Sequence, residues 1–119
     1  MPTPTGHTRA ILASKVKGTS VYNTDGDKIG HVEDVVLDKL SNNIIFAVIG
    51  FGGILGVGEK YHPIPWATLD FDQSRGGYVV RLGKDQLEQS PAYVLDDLTD
   101  DDGTVRSETY TYYQAQPYW

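Results

Sequence analysis

One segment, Ile44 to Phe51, constrains the fold more than any other part of the chain. Successive side chains of a strand point to opposite faces. One face would then carry Ile44, Phe46 and Val48, and the other would carry Ile45, Ala47, Ile49 and Phe51. Antiparallel sheets usually expose one face to water, so a strand that is apolar on both faces needs cover on both sides. We expect a barrel interior on one side and a helix, the tail or a second subunit on the other.

Turn signals on either side of this segment divide the chain into further strands. Asp25-Gly26 separates Thr19–Asn23 from Lys28–Asp38, because glycine accepts the positive φ of hairpin turns. Gly30 interrupts the second of these strands and indicates a bulge. The segment Tyr61–Phe71 contains two prolines, which confine it to a sheet edge or a bend.

The last predicted strand is Tyr78–Leu82, and a short helix is predicted near residues 84–89, with Asp85 as its capping residue. Short strands joined by tight turns favour a meander that closes or nearly closes, because closure removes unpaired edges. We therefore expect a mainly β fold. It would be a small, partly open antiparallel β-barrel over about residues 16–82, followed by the short helix and an extended aromatic tail.

Composition excludes several classes of function. The 119 residues include no cysteine, which excludes disulfides, thiolate zinc sites and cysteine nucleophiles. Without an apolar N-terminal segment, the chain is expected to be cytoplasmic and to lack a membrane span. Residues 1–93 hold nine basic and ten acidic residues, and residues 94–119 hold one and six. Neither part offers a basic stripe, so nucleic acid is not an expected partner.

The order of the segments resembles the PRC-barrel domain family, which is named for a domain of the photosynthetic reaction centre H subunit. The matching segments are Val16–Asn23, Asp25–Gly30, Val32–Asp38, Ala47–Ile49, Gly52–Lys60 and Ile64–Trp66. The resemblance covers roughly residues 10–92 and leaves residues 93–119 as an acidic and aromatic C-terminal tail. It implies a free-standing bacterial member with a small, partly open β-barrel. Such a domain would act through protein contacts and would have no general active site.

No motif for chemistry is complete. The glycine-rich segment 52–60 lacks the Gly-Lys-Ser/Thr of a phosphate-binding loop. The acidic segment 96–102 does not match a calcium loop, because Leu98 would take the first ligand position. The histidines share no ligand spacing: His7, His31 and His62. We expect no catalytic residue, no metal and no cofactor.

The candidate functional residues are apolar or aromatic and form a possible interaction surface. Four lie at the glycine-rich loop and would give an exposed patch: Phe51, Ile54, Leu55 and Val57. Trp66 is expected in the barrel core or rim, with a contact residue at an interface as the alternative.

Five of the last ten residues are aromatic: Tyr110, Tyr112, Tyr113, Tyr118 and Trp119. Disordered linkers are poor in aromatic residues, so we expect this end to dock after the acidic spacer 100–103. The residue types of 104–106 and 109–112 favour strand. The docking surface is expected to be the chain's own assembly, with a foreign partner as the alternative.

These observations favour a non-catalytic protein-interaction module that self-associates, most simply as a dimer, or acts as an adaptor. The alternative is a small-molecule or ion-binding β-barrel, which would need polar groups converging in an apolar pocket.

Overall fold

The computed structural model describes residues 10–51, 61–81, 83–99 and 102–119. In chain order the elements are helix α1 (Ala13–Val16), strands β1 (Ser20–Tyr22), β2 (Lys28–Leu37), β3 (Ile44–Phe51) and β4 (His62–Pro65), a 3₁₀ turn (Trp66–Thr68), strands β5 (Leu69–Asp72) and β6 (Gly77–Val80), helix α2 (Lys84–Glu88), a second 3₁₀ turn (Leu95–Thr99) and helix α3 (Thr104–Tyr113). The mainly β class predicted from the sequence is confirmed.

The strands form one sheet in the spatial order β4–β3–β2–β1–β6–β5. All neighbours are antiparallel except β1 and β6, which run parallel with Val21 opposite Tyr78. The expected meander is therefore wrong at this junction. Because β2 pairs with only one edge of β1, the other edge remains open, and β6 pairs with it.

The sheet curls until its two edge strands approach each other. Strands β4 and β5 lie at opposite edges, yet only the 3₁₀ turn Trp66–Thr68 separates them along the chain. A 3₁₀ helix rises about 2 Å per residue, so the two edges come close at this end. Strand β4 contains Pro63 and Pro65 and lies at an edge, as predicted for a segment with missing amide donors. The result is the partly open barrel that the sequence predicted.

Both faces of β3 are buried, but Ile45 does not lie on the face predicted for it. Val36 pairs with Phe46 and Leu37 pairs with Ile44, which leaves Ile45 as an extra residue. Such a bulge changes the alternation of side chains, and Ile45 packs beside Phe46 instead of beside Ala47. A second bulge lies at Ile29, next to the predicted break at Gly30.

The barrel interior is a single apolar cluster. It joins α1, five of the strands and α2 through Val16, Val21, Val32, Ala47, Ile49, Ile64, Tyr78, Val80 and Leu87. Helix α2 confirms the predicted short helix, with one correction to its start. The backbone N–H of Gly83 donates to Oε1 of Gln86 at 3.1 Å, so Gly83 precedes the helix and Asp85 lies in its first turn.

Residues 104–113 form helix α3, which corrects the strand preference read from their composition. The buried residues of α3 are Val105, Thr109 and Tyr110, spaced so that they share one helical face. This face packs against the sheet, and such packing outweighs the weak strand propensity of β-branched and aromatic residues. The helix ends at Gln114, whose φ of 54° is left-handed.

Candidate interaction surface

The outward side of β2, β3 and β4, called the outer face below, is covered by the chain's own C-terminal segment, residues 102–119. Phe46 and Val48 are each only 1% exposed beneath it. The buried residues of this contact are Ile45, Phe46, Val48, Tyr61, Leu98, Val105 and Tyr110. The cover that β3 requires on its second side is thus supplied within the chain.

Tyr110 fixes α3 against the bulge in β3. Its ring meets the ring of Phe46 edge-on, with centroids 6.2 Å apart, and its hydroxyl donates to the backbone carbonyl of Ile45 at 2.8 Å. Burial raises the pKa of the Tyr110 phenol, which therefore stays a hydrogen-bond donor at neutral pH. The bond gives a buried acceptor a partner, and buried polar groups are costly without one.

The last residues return across α3 towards the turn between β2 and β3. The Tyr118 hydroxyl donates to Oδ2 of Asp38 at 2.6 Å. The ring of Trp119 lies 4.8 Å from that of Tyr110 and 5.2 Å from that of Tyr118. Arg106 lies over the Trp119 ring at 5.9 Å, and its guanidinium is 3.8 Å from Asp38. One cluster beside the Asp38 carboxylate thus contains Arg106, Tyr110, Tyr118 and Trp119.

The Asp38 carboxylate is stabilised in its ionised form. The Tyr118 hydrogen bond is the largest cause that lowers the pKa of Asp38 to about 2, followed by the backbone N–H of Leu40. Asp38 follows the last residue of β2, so the β2–β3 turn presents the charge to the C-terminal segment.

A second polar contact holds the middle of α3. The Tyr93 hydroxyl donates to Glu108 at 2.5 Å, and Tyr93 is joined to Tyr61 by two backbone hydrogen bonds of 2.8 and 2.9 Å. Burial, followed by the bond to Glu108, raises the pKa of Tyr93 to about 12. The C-terminal segment is therefore held by polar contacts in the middle of α3 and at its last residues, in addition to its apolar packing on the outer face.

The five C-terminal aromatic residues do not act together. Tyr110, Tyr118 and Trp119 belong to the cluster at the outer face. Tyr113 instead packs against the barrel-interior cluster, and burial raises its pKa to about 12. The Tyr112 hydroxyl donates to the carbonyl of Gln86 in α2. The aromatic residues thus divide between the outer face and the end of the barrel.

The other predicted surface residues are not brought to this face. Trp66 is half-buried at the barrel rim, where its ring lies 5.5 Å from that of Tyr78. The side chain of Phe51 and all of Ile54, Leu55 and Val57 lie outside the described residues. The loop patch therefore stays a prediction.

Sequence reasoning missed a contact between His62 and Ser90, because 28 positions separate the two residues. Nδ1 of His62 lies 2.7 Å from the Ser90 hydroxyl, and that hydroxyl donates to the carbonyl of Leu87 at 2.6 Å. Nδ1–H must then be the donor towards Ser90, which is the reverse of a base that activates a nucleophile. Burial lowers the pKa of His62, so the neutral imidazole joins β4 to α2.

Within the described ranges, no group of three or more His, Asp or Glu side chains is placed to hold a metal ion. No helix in those same ranges is long and apolar enough to cross a membrane.

Comparison with known proteins agrees with this fold. The family model of the PRC-barrel domain matches residues 9–87, so the chain belongs to the PRC-barrel domain family. An uncharacterized protein of Deinococcus radiodurans is 29% identical over 79 residues, which are 66% of this chain and 28% of that protein. The chain therefore spans less than a third of that relative's length. Family membership favours a non-catalytic module.

Proposed function

We propose that this chain is a non-catalytic protein-interaction module that associates with itself or joins other proteins as an adaptor. The observation that carries the proposal is the outer face, which binds an 18-residue polypeptide segment by an apolar centre and flanking hydrogen bonds. Recognition of polypeptide is thus already performed by this surface within one chain. Helices packed into apolar surfaces with polar contacts at the rim are a recurring form of protein recognition.

Two polar contacts of the described residues support the same function. Ser90 directs its proton to a backbone carbonyl and accepts from His62, so the pair stabilises the fold instead of forming a nucleophile and base. The carboxylate of Asp38, beside the outer face, accepts a hydrogen bond from Tyr118 and lies close to the guanidinium of Arg106. Both of these residues belong to the docked segment. Charge at this face is thus used for docking.

The turn between β2 and β3 offers a contact area next to the docked segment. Leu40 is 98% exposed and Leu37 is 59% exposed, on either side of Asp38. Exposed apolar residues beside a polypeptide-binding face favour contact with a further protein surface.

The test compares full-length wild type with Leu40→Glu, using Leu12→Glu as a matched control, since Leu12 is also exposed at 68%. Light scattering over a concentration series and quantitative co-purification measure association. We expect wild type and Leu12→Glu to associate with a partner or with themselves in fixed stoichiometry, and Leu40→Glu to do so more weakly. A wild-type chain that stays monomeric and retains no stoichiometric protein would contradict the proposal. A metabolite or metal that raises the melting temperature in the same preparation would instead favour the ligand-binding barrel.

A further inference from the structure

We infer that a groove beside the docked C-terminal segment is a binding site for a neutral saccharide. The groove lies outside the barrel interior, and the site is additional to the polypeptide contacts proposed above. Three features of the groove support this assignment: its construction from distant segments, its unpartnered polar groups and its lack of charge.

Three parts of the chain that are distant in sequence build the groove. The β2–β3 turn and the start of β3 supply Asn42, Asn43 and Ile44, the 3₁₀ turn supplies Trp66 and Ala67, and the C-terminal segment supplies Tyr110, Gln116 and Tyr118. The volume is about 400 Å³, which lies within the roughly 300–1,000 Å³ of small-ligand sites. The hydrogen bonds from Tyr110 to Ile45 and from Tyr118 to Asp38 fix the wall that the C-terminal segment provides. The groove is thus already formed in the folded chain.

The aromatic side chains of the groove are available mainly through their rings. The hydroxyl protons of Tyr110 and Tyr118 are both donated elsewhere, and Trp66 contributes a half-buried indole. The face of an aromatic ring is electron-rich, whereas the C–H bonds on the apolar face of a sugar ring are weakly positive. Stacking of a sugar ring on these residues is therefore favourable.

The polar groups of the groove have no hydrogen-bond partner within the part of the chain that the structure describes. They are the indole N–H of Trp66 and the carboxamides of Asn42, Asn43 and Gln116. A carboxamide both donates and accepts hydrogen bonds, as a hydroxyl group does. Proline-rich peptides also bind aromatic-lined grooves, but they offer carbonyl acceptors and few donors. The mixture of donors and acceptors therefore favours a polyhydroxylated ligand.

The residues described as lining the groove include no charged side chain. The Asp38 carboxylate beside it already accepts from Tyr118 and lies close to Arg106. Carboxylates and phosphates are usually bound by charge-assisted hydrogen bonds from cationic side chains, which this lining does not supply. The charge of the lining thus fits a neutral saccharide.

Nuclear magnetic resonance titration of the full-length wild-type chain tests this assignment. Glucose, N-acetylglucosamine, maltose and cellobiose are the probes, and Trp66→Phe assigns the indole N–H signals of the two tryptophans. We expect at least one probe to shift the Trp66 signal in a saturable manner. The signal of Trp119, which does not line the groove, should change little. Absence of a saturable shift with every probe would overturn the inference.

Removal of two carboxamides locates the binding surface. Asn43 and Gln116 are exposed, so Asn43→Ala combined with Gln116→Ala leaves the buried clusters intact. Gln73→Ala combined with Gln89→Ala is the matched control, because it removes two exposed carboxamides that do not line the groove. We expect a several-fold loss of affinity in the first pair and none in the second. Circular dichroism of both pairs checks that each is folded.

Two other results would assign the site differently. Saccharide affinity that survives the loss of both groove carboxamides would overturn the inference, and shifts at amides of the barrel interior such as Val80 would then favour the ligand-binding barrel. A proline-rich peptide that shifts the Trp66 signal where no saccharide does would also overturn it, in favour of a polypeptide ligand. Neither result alters the association test with Leu40→Glu, since Leu40 does not line the groove.

Discussion

The Tyr118 hydroxyl donates a 2.6 Å hydrogen bond to Asp38, a residue 80 positions earlier in the chain. The bond joins the last residues to the turn between β2 and β3, and Arg106 approaches the same carboxylate from α3. The position of the last residues therefore depends in part on the charge of one aspartate.

Acid should release this end of the chain. The pKa of Asp38 is lowered from 3.8 to about 2 in the folded state, so its contribution is present above pH 4 and is lost as pH falls through 2. We expect the fluorescence of Trp119, obtained as the difference between wild type and Trp119→Phe, to change within this window. In Asp38→Asn the same difference signal should not vary with pH between these limits. A transition that persists in Asp38→Asn would assign the effect to another group.

Tyr110→Phe should destabilise the protein by about 1–2 kcal/mol, because the carbonyl of Ile45 loses a buried hydrogen-bond donor. Tyr112→Phe is the matched control on the same helix. Tyr112 is 38% exposed and its hydrogen bond to Gln86 lies at the surface, and exposed substitutions usually stay within about 0.5 kcal/mol. Urea unfolding of the two variants measures the difference. Equal losses would show that the Tyr110 hydroxyl does not stabilise the contact.

Gly77→Ala should be strongly destabilising, because an added Cβ would lie 2.5 Å from the backbone oxygen of Ser20 across the parallel junction of β1 and β6. Crowding of a packed site costs about 1–3 kcal/mol, occasionally more. Position 83 has a negative φ and an added Cβ would meet only Gln86, at 3.8 Å, so Gly83→Ala should cost about 1 kcal/mol or less, from the poorer preference of alanine before a helix. Thermal unfolding compares the two. If both alanines were equally tolerated, β1 and β6 would not approach as described.

Stability should also decline as pH falls below 6.5, through His62. Burial lowers its folded-state pKa from 6.5, so the unfolded chain takes up the proton first and the folded state is favoured fully only above 6.5. We expect urea midpoints to fall from neutral pH towards mildly acidic pH in wild type and to fall less in His62→Gln. Nuclear magnetic resonance titration of the His62 ring supplies the folded-state pKa directly. A value at or above 6.5 would contradict the expectation.

The sequence predicted those elements that local pattern determines. The bounds of β3 follow from an unbroken apolar run after the turn at Asn42, whose φ of 64° is left-handed. The edge position of β4 follows from its prolines, because the missing amides have no part in a ladder. The short helix α2 was likewise predicted from residues 84–89, although Gly83 was not predicted as the residue that precedes it.

Contacts between distant residues could not be predicted in this way. Ile45 lies on the opposite face because of a bulge, and one extra residue leaves no mark on an uninterrupted apolar run. Helix α3 forms where residue types favour strand, because Val105 and Tyr110 meet an apolar face that only the folded sheet provides. Tyr118 and Asp38 are 80 positions apart, so their contact likewise leaves no local pattern in the sequence.

The position of β1 has a consequence for the order of events during synthesis. This three-residue strand emerges early, yet its partner β6 is not complete until residue 80 has been made. Any sheet that the first three strands form before then lacks β6 and is incomplete. Phe46 and Val48 remain open to water longer still, since α3, which covers them, is made after all the strands of the sheet. Nascent chains thus carry an uncovered apolar sheet face until α3 has been made, a state in which chaperones commonly protect such surfaces.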